Sequence, residues 1–431
     1  MSRYRFSIDL GETFTDFVLI DEAGRLSIKK IPTTFHDSIR SLVDDVNQFV
    51  KVENQAPVEA VEAHMVGMSV QMPPESAIDC VRHLEQELRS EGWNCGIRLV
   101  ATDGRLLSVE EAAADPEQIM NPRIGGVVTG QFFGRQIGRK NLILLRIGGS
   151  SALIAMLDEV SDEAPTEILV QAGRSLSIGG NSYVGIDSEG AITILTDHAT
   201  PGPGPACFNR GGTRPTLTDV DLILGYLNRD FFLYGAIPLS MEAARRAIDE
   251  HIARPLALTV EEASMRVCRQ MEKQIADVVR ELAGNQPVDF SRYTMLAFGG
   301  AGPVHASDIS LELGIKEFVV PVGAGVASAL GYLLAVPDDA NWKTPPIIYR
   351  AGYYNPKNRE GDFHALKGYR SVYYETDLIP CGCPIYDRAG IRADDSLSGP
   401  AIIEGPETTV VIREKSFAQM DSFRNLRISL R

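Results

Sequence analysis

The chain has 431 residues, 44% hydrophobic and 23% charged, ordinary proportions for two or three soluble domains with a sizeable core. Its formal net charge of −15, with no basic block and only two Trp, argues against a nucleic-acid partner and against an anionic membrane surface, because both require Lys and Arg. No apolar run is long enough to span a bilayer, the start runs from Arg5 into a strand rather than a signal segment, and the six Cys form no disulfide framework, so we expect a cytoplasmic protein with reduced thiols.

The predicted elements begin with short apolar strands at Tyr4–Asp9 and Phe17–Asp21, a hairpin turn at Asp21–Gly24 and a third strand at Leu26–Ile31. A helix is expected over Ser38–Val50 and a polar loop over Lys51–Val58, then a strand within Ala60–Val70 and a helix over Ala77–Ser90. Ile97–Thr102 reads as a strand and Ser108–Ala114 as a short helix. Gly126, Gly130, Gly134 and Gly138 recur at every fourth position, which in a helix would make one bare stripe for close approach. A loose glycine-rich loop is the alternative. Asn141–Ile147 and Ala152–Asp158 repeat the opening strand–turn–strand unit, so the architecture reads as internally duplicated, with a cleft between the halves.

From Ile178 to Gly212 the chain is rich in Gly and Pro, and its Pro201–Pro205 run cannot form regular structure. Thr218 with Asp221, Ser240, and Thr259 with Glu262 read as helix starts, the last as a capping box for a helix ending near Gly284. Tyr293–Phe298 is expected as a buried strand, Gly302–Leu313 as a helix entered through Pro303, Phe318–Pro321 as a strand and Gly325–Leu334 as a helix. Val336–Gly368 reads as a linker, and Ser371–Arg431 as a small β-domain with strands at Val372–Tyr374, Ala401–Ile403 and Thr409–Ile412. The close pair Cys381 and Cys383 lacks the further ligands of a zinc site and is expected in a turn.

Two segments carry the chemistry. Asp9, Gly11, Thr13 and Thr15 place a carboxylate at a strand end, then a tight turn and two hydroxyls, which suits a Mg-nucleotide phosphate tail; β-branched residues also simply suit a hairpin. Gly299, Gly300 and Gly302 end a strand in a bare turn that a base or ribose can approach, although close strand–helix packing also demands glycine. A third segment, Gly148-Gly149-Ser150, offers backbone N–H groups to a phosphate or merely makes a turn. His305 and Cys207 read as buried structural residues sooner than as a base or nucleophile.

In this order the motifs resemble those of the hydantoinase A / 5-oxoprolinase family, which includes acetone and acetophenone carboxylase subunits. Asp9–Asp16 resembles its first phosphate motif, Gly202–Gly225 its Pro-Gly-Pro-Ala-Cys and Pro-Thr-x-Thr-Asp segments, Ala297–Ala306 its adenosine motif, and Tyr386–Arg388 with Gly399–Glu404 its C-terminal domain. The resemblance implies an α/β fold of the actin-like ATPase type, with duplicated RNase-H-like halves and a C-terminal β-domain. The halves would be 1–138, with a reduced insert, and 139–335, with 336–431 as linker and β-domain. It implies ATP and Mg2+ as cofactors, with Asp9 holding Mg2+ through water; Gly11, Thr13, Thr15, Gly148, Gly149 and Ser150 at the phosphates; and Gly299, Gly300 and Gly302 at the adenosine. It also implies a small-molecule substrate and a partner, either a hydantoinase-B-like subunit or a full-length hydantoinase A paralogue.

This chain departs from the family pattern in three places. Glu12 replaces a glycine of the phosphate loop, His64–Ser69 stands where a His-Gly-Thr-Thr segment is usual, and Arg146 with Ala152 and Leu153 stands where the second phosphate motif carries acids. The resemblance implies a subunit of a hetero-oligomeric ATP-dependent amidohydrolase or carboxylase, coupling ATP phosphoryl transfer to activation of an amide, enolate or bicarbonate. The alternative is a degenerate ATPase kept as a scaffold or regulatory subunit.

Overall fold

The computed structural model of the chain describes residues 3–33, 39–58, 61–68, 73–94, 96–101, 105–119, 122–158, 160, 173–199, 202–284, 287–335, 347–349, 365–374 and 378–431. The chain divides into two units, neither of them one continuous stretch. The first takes Met1–Lys140, Glu159–Gln171 and Val326–Lys357; the second takes Asn141–Asp158, Ala172–Gly325 and Asn358–Arg431.

In the first unit β1 (Tyr4–Leu10), β2 (Phe14–Asp21) and β3 (Arg25–Pro32) form an antiparallel meander. Strands β4 (Val61–Met68) and β5 (Ile97–Val100) continue the sheet in parallel beyond β1. With β6 (Leu106–Ser108) and β14 (Ile348–Tyr349) at the edges, the order is β14-β3-β2-β1-β4-β5-β6. Side chains alternate along a strand, so Phe6, Ile8 and Leu10 share one face of β1. There they join Phe17, Phe49 and Trp93 in a core shared with α1 (Ile39–Asn47) and α2 (Pro74–Ser90). Ring centroids of Phe6 and Phe17 lie 6.1 Å apart, and those of Phe17 and Phe49 5.8 Å. The helix expected to run to Val50 is α-helical only to Asn47 and continues as a π-helical turn over Gln48–Glu53, three residues into the expected loop; the turn buries Phe49 and Val50 in this core.

Ser7 and Asp9 take the opposite face of β1. The Ser7 hydroxyl donates to the Ala329 carbonyl at 2.6 Å, on α9 (Ala327–Leu334). Helix α9 also packs on α4 (Pro122–Gln136), where the Thr129 hydroxyl donates to the Ala327 carbonyl at 2.7 Å. The glycine-rich segment is thus helical, but the tight contact is made by Gly125, outside the every-fourth-residue series. A Cβ on Gly331 would stand 1.8 Å from the Gly125 carbonyl oxygen. Gly138 lies past the helix end with φ +66°, as a left-handed cap. Helix α9, which the linear reading puts in segment 139–335, belongs to the first unit.

The second unit repeats the topology. Strands β7 (Leu142–Ile147), β8 (Ala152–Leu157) and β9 (Gly173–Leu176) form a meander, and β12 (Thr294–Phe298) and β13 (Glu317–Val320) continue in parallel beyond β7. Both sheets thus share the order third, second, first, fourth, fifth. The C-terminal β-rich region adds to this unit. Strand β21 (Leu426–Ser429) pairs with β13, and β20 (Phe417–Met420) and β17 (Ser396–Ser398) follow it. A four-stranded sheet holds β15 (Leu366–Val372), β16 (Cys381–Asp387), β18 (Ala401–Glu404) and β19 (Thr409–Ile412). Cys381 and Cys383 lie on β16 rather than in a turn. The Gly/Pro-rich stretch contains a hairpin of β10 (Ser182–Ile186) and β11 (Ile192–His198), with the Pro-Gly run irregular beyond it over its described residues.

The helices of this unit are α5 (Leu217–Ile223), α6 (Met241–Ile248), α7 (Val260–Leu282) and α8 (Gly302–Leu313). The start of α5 is not Thr218 with Asp221 but a capping box of Thr216 and Asp219, two residues earlier. Thr218 is turned instead to the Gly180 carbonyl at 2.8 Å. Ser240 caps α6 as expected, and Thr259 with Glu262 boxes α7. Thr259→Ala should cost about 1 kcal/mol by removing that cap, read as a small fall in the urea midpoint at unchanged slope. No measurable fall would mean that packing alone holds the α7 N-terminus.

Candidate nucleotide site

In the first unit Asp9 is 2% exposed near the end of β1 and stands directly opposite Asp16 on β2. Two opposed carboxylates repel, and Asp16 is balanced by an ion pair with Lys30. The turn between the strands is closed by the Gly11 N–H donating to the Phe14 carbonyl at 3.1 Å. Thr33, which the sequence reading passed over, braces this turn. Its hydroxyl donates to the Gly11 carbonyl at 2.7 Å and lies 3.2 Å from the Thr15 hydroxyl, and its N–H donates to the Thr13 carbonyl at 3.0 Å. Thr15 is buried against Thr33, whereas Thr13 stays partly exposed on the turn. One Glu12 carboxylate oxygen is buried with no hydrogen-bond partner among the described residues. Carboxylate oxygens such as those of Asp9 and Glu12 are the donor type that a hard divalent cation takes.

In the second unit the two remaining motifs come together. Gly148–Ser151 is the turn between β7 and β8, and the Gly148 N–H is spent on the Ser151 carbonyl at 2.9 Å. The carbonyls of Gly148 and Gly149 accept from the N–H groups of Gly180 and Asn181 at 2.9 and 2.7 Å. The turn from β12 into α8 lies against the end of β7. Gly299 has φ +81°, and a Cβ there would be 2.1 Å from the Ile147 carbonyl oxygen. The Ala301 N–H donates to that same oxygen at 3.2 Å, and Gly302 packs on the Ile147 nitrogen. Gly299 is therefore required by packing whatever else it does, and Gly302 is tightly packed, while Gly300 is exposed, its carbonyl accepting from the Thr408 hydroxyl at 3.1 Å. Thr408 comes from the far C-terminal region, and no local signal marks it. Arg146, on β7, reaches its guanidinium toward Gly148, 3.4 Å from where a Cβ would stand.

The remaining candidates are structural. Cys207 is fully buried in a 3-10 turn whose backbone N–H donates to Asp219 at 2.6 Å. Burial and the Asp219 carboxylate hold its thiol well above the ordinary value of 9.0, which disfavours a nucleophile. His305 is buried between Asp221 and Glu272; burial opposes its charge, but the Asp221 carboxylate outweighs that and holds the imidazole well above 6.5. The side chain of His64 lies outside the described residues.

Two sheets that share this order of five strands, each with a glycine turn at the end of its first strand, define an α/β fold of the actin-like ATPase type. The fold follows a chain of acetone carboxylase in its nucleotide-free structure over 99% of this chain and 100% of that one, with a TM-score of 0.71 at 17% identity. It likewise follows the ATP-dependent caprolactamase of Pseudomonas jessenii, with a TM-score of 0.71 at 16% identity over 99% of each chain. The hydantoinase/oxoprolinase family model matches residues 76–340 and that of the family's C-terminal domain residues 344–429, so the chain belongs to the hydantoinase/oxoprolinase family.

Among characterised relatives, it is 29% identical over 259 residues to the acetophenone carboxylase gamma subunit of Aromatoleum aromaticum, covering 57% of this chain and 35% of that protein. It is 29% identical to the acetone carboxylase beta subunit of Xanthobacter autotrophicus, covering 58% of this chain and 36% of that protein. The chain thus matches about a third of the length of these relatives. Among the described residues no helix is long and apolar enough to cross a membrane.

Proposed function

We propose that this chain is the nucleotide-binding subunit of a hetero-oligomeric ATP-dependent amidohydrolase or carboxylase. In it, phosphoryl transfer from ATP would activate an amide, an enolate or bicarbonate of a small-molecule substrate. The observation that carries this reading is the buried Asp9 at a hairpin turn braced by Thr33, in a chain of the hydantoinase/oxoprolinase family whose fold follows that of an ATP-dependent caprolactamase. Asp9 would hold Mg2+ through water, with Glu12 as a second carboxylate, and the cation would offset charge on the transferring phosphate. Gly11 and Thr13, on the same turn as Asp9, would supply phosphate contacts; in the second unit the Gly148 N–H is already used within its own turn. Gly300 is the exposed member of the adenosine turn. A hydantoinase-B-like subunit, or a full-length paralogue of this chain, is the partner that would complete the complex.

A second reading rests on Arg146. A fixed cation beside the second turn can bind phosphate but cannot accept a proton, which suits a subunit that binds nucleotide without turnover. Calorimetric titration with Mg-ATP separates the readings from each other and from no site at all. Binding should weaken at least roughly tenfold in Asp9→Asn, the loss of one charged ligand contact. Unchanged affinity in a folded Asp9→Asn protein would sink the proposed site. Phosphate release that rises in Arg146→Asp would favour a decayed ATPase over an active one.

A further inference from the structure

The second unit also holds a buried polar cluster where α5, α7 and α8 meet. Among the described residues, one set of His, Cys and acidic side chains gathers its ligand atoms within 4.8 Å of one another: Cys268, Glu272 and His305. Cys268 and Glu272 are one turn apart on α7 and so share a face, and His305 reaches them from the first turn of α8. The Cys268 Sγ lies 3.3 Å from Glu272 Oε1 and 3.7 Å from His305 Nδ1, and Oε1 lies 3.1 Å from Nδ1. Bonds of about 2.0–2.3 Å to a tetrahedral Zn2+ separate its ligand atoms by roughly 3.3–3.7 Å. The observed triangle is close to one face of such a tetrahedron.

Two neighbours hold these atoms in place. Asp221 Oδ1 is 3.3 Å from Nε2, the far nitrogen of the same imidazole, which directs Nδ1 toward the other two ligands. Arg269 Nη1 donates to Glu272 Oε2 at 3.1 Å, so Oε1 is the oxygen presented to Cys268 and His305. Thiolate, imidazole and one carboxylate form a borderline-soft set, suited to zinc rather than to Mg2+ or Ca2+.

We propose that Cys268, Glu272 and His305 bind a zinc ion, with water at the fourth vertex and Asp221 and Arg269 as positioning residues. Zn2+ would displace the proton of the Cys268 thiol and bind His305 through Nδ1. With the ligand side chains of His305 and Glu272 only 2% and 5% exposed, the ion would enter as the unit folds and would pin α8, and the glycine turn leading into it, to α7.

The test uses the full chain produced with zinc or with cobalt, freed of loose metal by gel filtration. Elemental analysis should find one zinc per chain, and the cobalt form should show a thiolate-to-cobalt charge-transfer band. Cys268→Ser should abolish the band. Asp221→Asn keeps all three ligands and should weaken zinc roughly 10–100-fold against a chromogenic chelator. Folded wild-type protein with well below one metal per chain and no thiolate band would overturn the proposal, as would a band that persists in Cys268→Ser. The wild-type cobalt spectrum decides even if a variant fails to fold.

Discussion

Gly331→Ala should destabilise the first unit by about 3 kcal/mol or more, although alanine is the better helix former. Intrinsic propensity favours the substitution by roughly 1 kcal/mol. Against it, the new methyl carbon would sit 1.8 Å from the Gly125 carbonyl oxygen, an atom fixed in the backbone of α4. No rotamer relieves a Cβ, so α9 must move away from α4. That movement strains the Ser7–Ala329 and Thr129–Ala327 hydrogen bonds, which tie α9 to β1 and α4 at 2.6 and 2.7 Å. Overpacking typically costs about 1–3 kcal/mol and more where backbone meets backbone. Denaturant unfolding followed by the fluorescence of Trp93, which is buried in the first unit's core, reads the change. A loss below about 1 kcal/mol would show that the two helices part cheaply.

Asp308→Ala should cost about 3–5 kcal/mol in the second unit, the usual result of removing one member of a buried ion pair. Asp308 on α8 accepts from Arg413 Nε at 2.7 Å and from Arg269 Nη1 at 2.5 Å. The side chain of Arg413 is 5% exposed, stacks 4.7 Å from the Tyr374 ring centroid and donates to the Tyr374 carbonyl at 3.0 Å. Alanine would leave this guanidinium buried without its carboxylate. Burial opposes ionisation of Asp308, but Arg413 and then Arg269 outweigh it and hold its pKa below the ordinary 3.8. The sign follows: the stabilisation is fully present above about pH 4 and is lost as pH falls through the lowered folded value. Stability of the wild type should therefore fall with acid more steeply than that of Asp308→Ala. Parallel acid profiles would mean that another group carries the dependence.

What the sequence made legible was local. The β1–β2 and β7–β8 hairpins, the Thr259 box and the Ser240 cap are written in neighbouring residues, and their strands and helices form where periodicity puts them. The α5 cap was misplaced because Thr216–Asp219 and Thr218–Asp221 present the same spacing, and the choice is made by Gly180 and His305, both remote in sequence. Gly125 escaped for the same reason: its opposing glycine stands on another helix. The joining of β21 to β13 depends on sheet edges brought together only by folding. At the candidate site the glycines were visible, but that Gly299 and Gly302 are packed against Ile147, and that Thr33 and Thr408 brace the two turns, required coordinates.

The return of α9 to the first unit constrains how this protein is born. Thr129 and the Ala327 carbonyl that it binds are 198 residues apart in sequence. A ribosome must therefore make most of the second unit before it makes the helix that covers β1 and α4. Until then a nascent first sheet displays Ser7, Gly125 and their surroundings uncovered, a state that favours binding by a chaperone. A fragment cut after the first meander and α4 would keep that exposure permanently, so the first unit cannot be harvested as a continuous N-terminal piece.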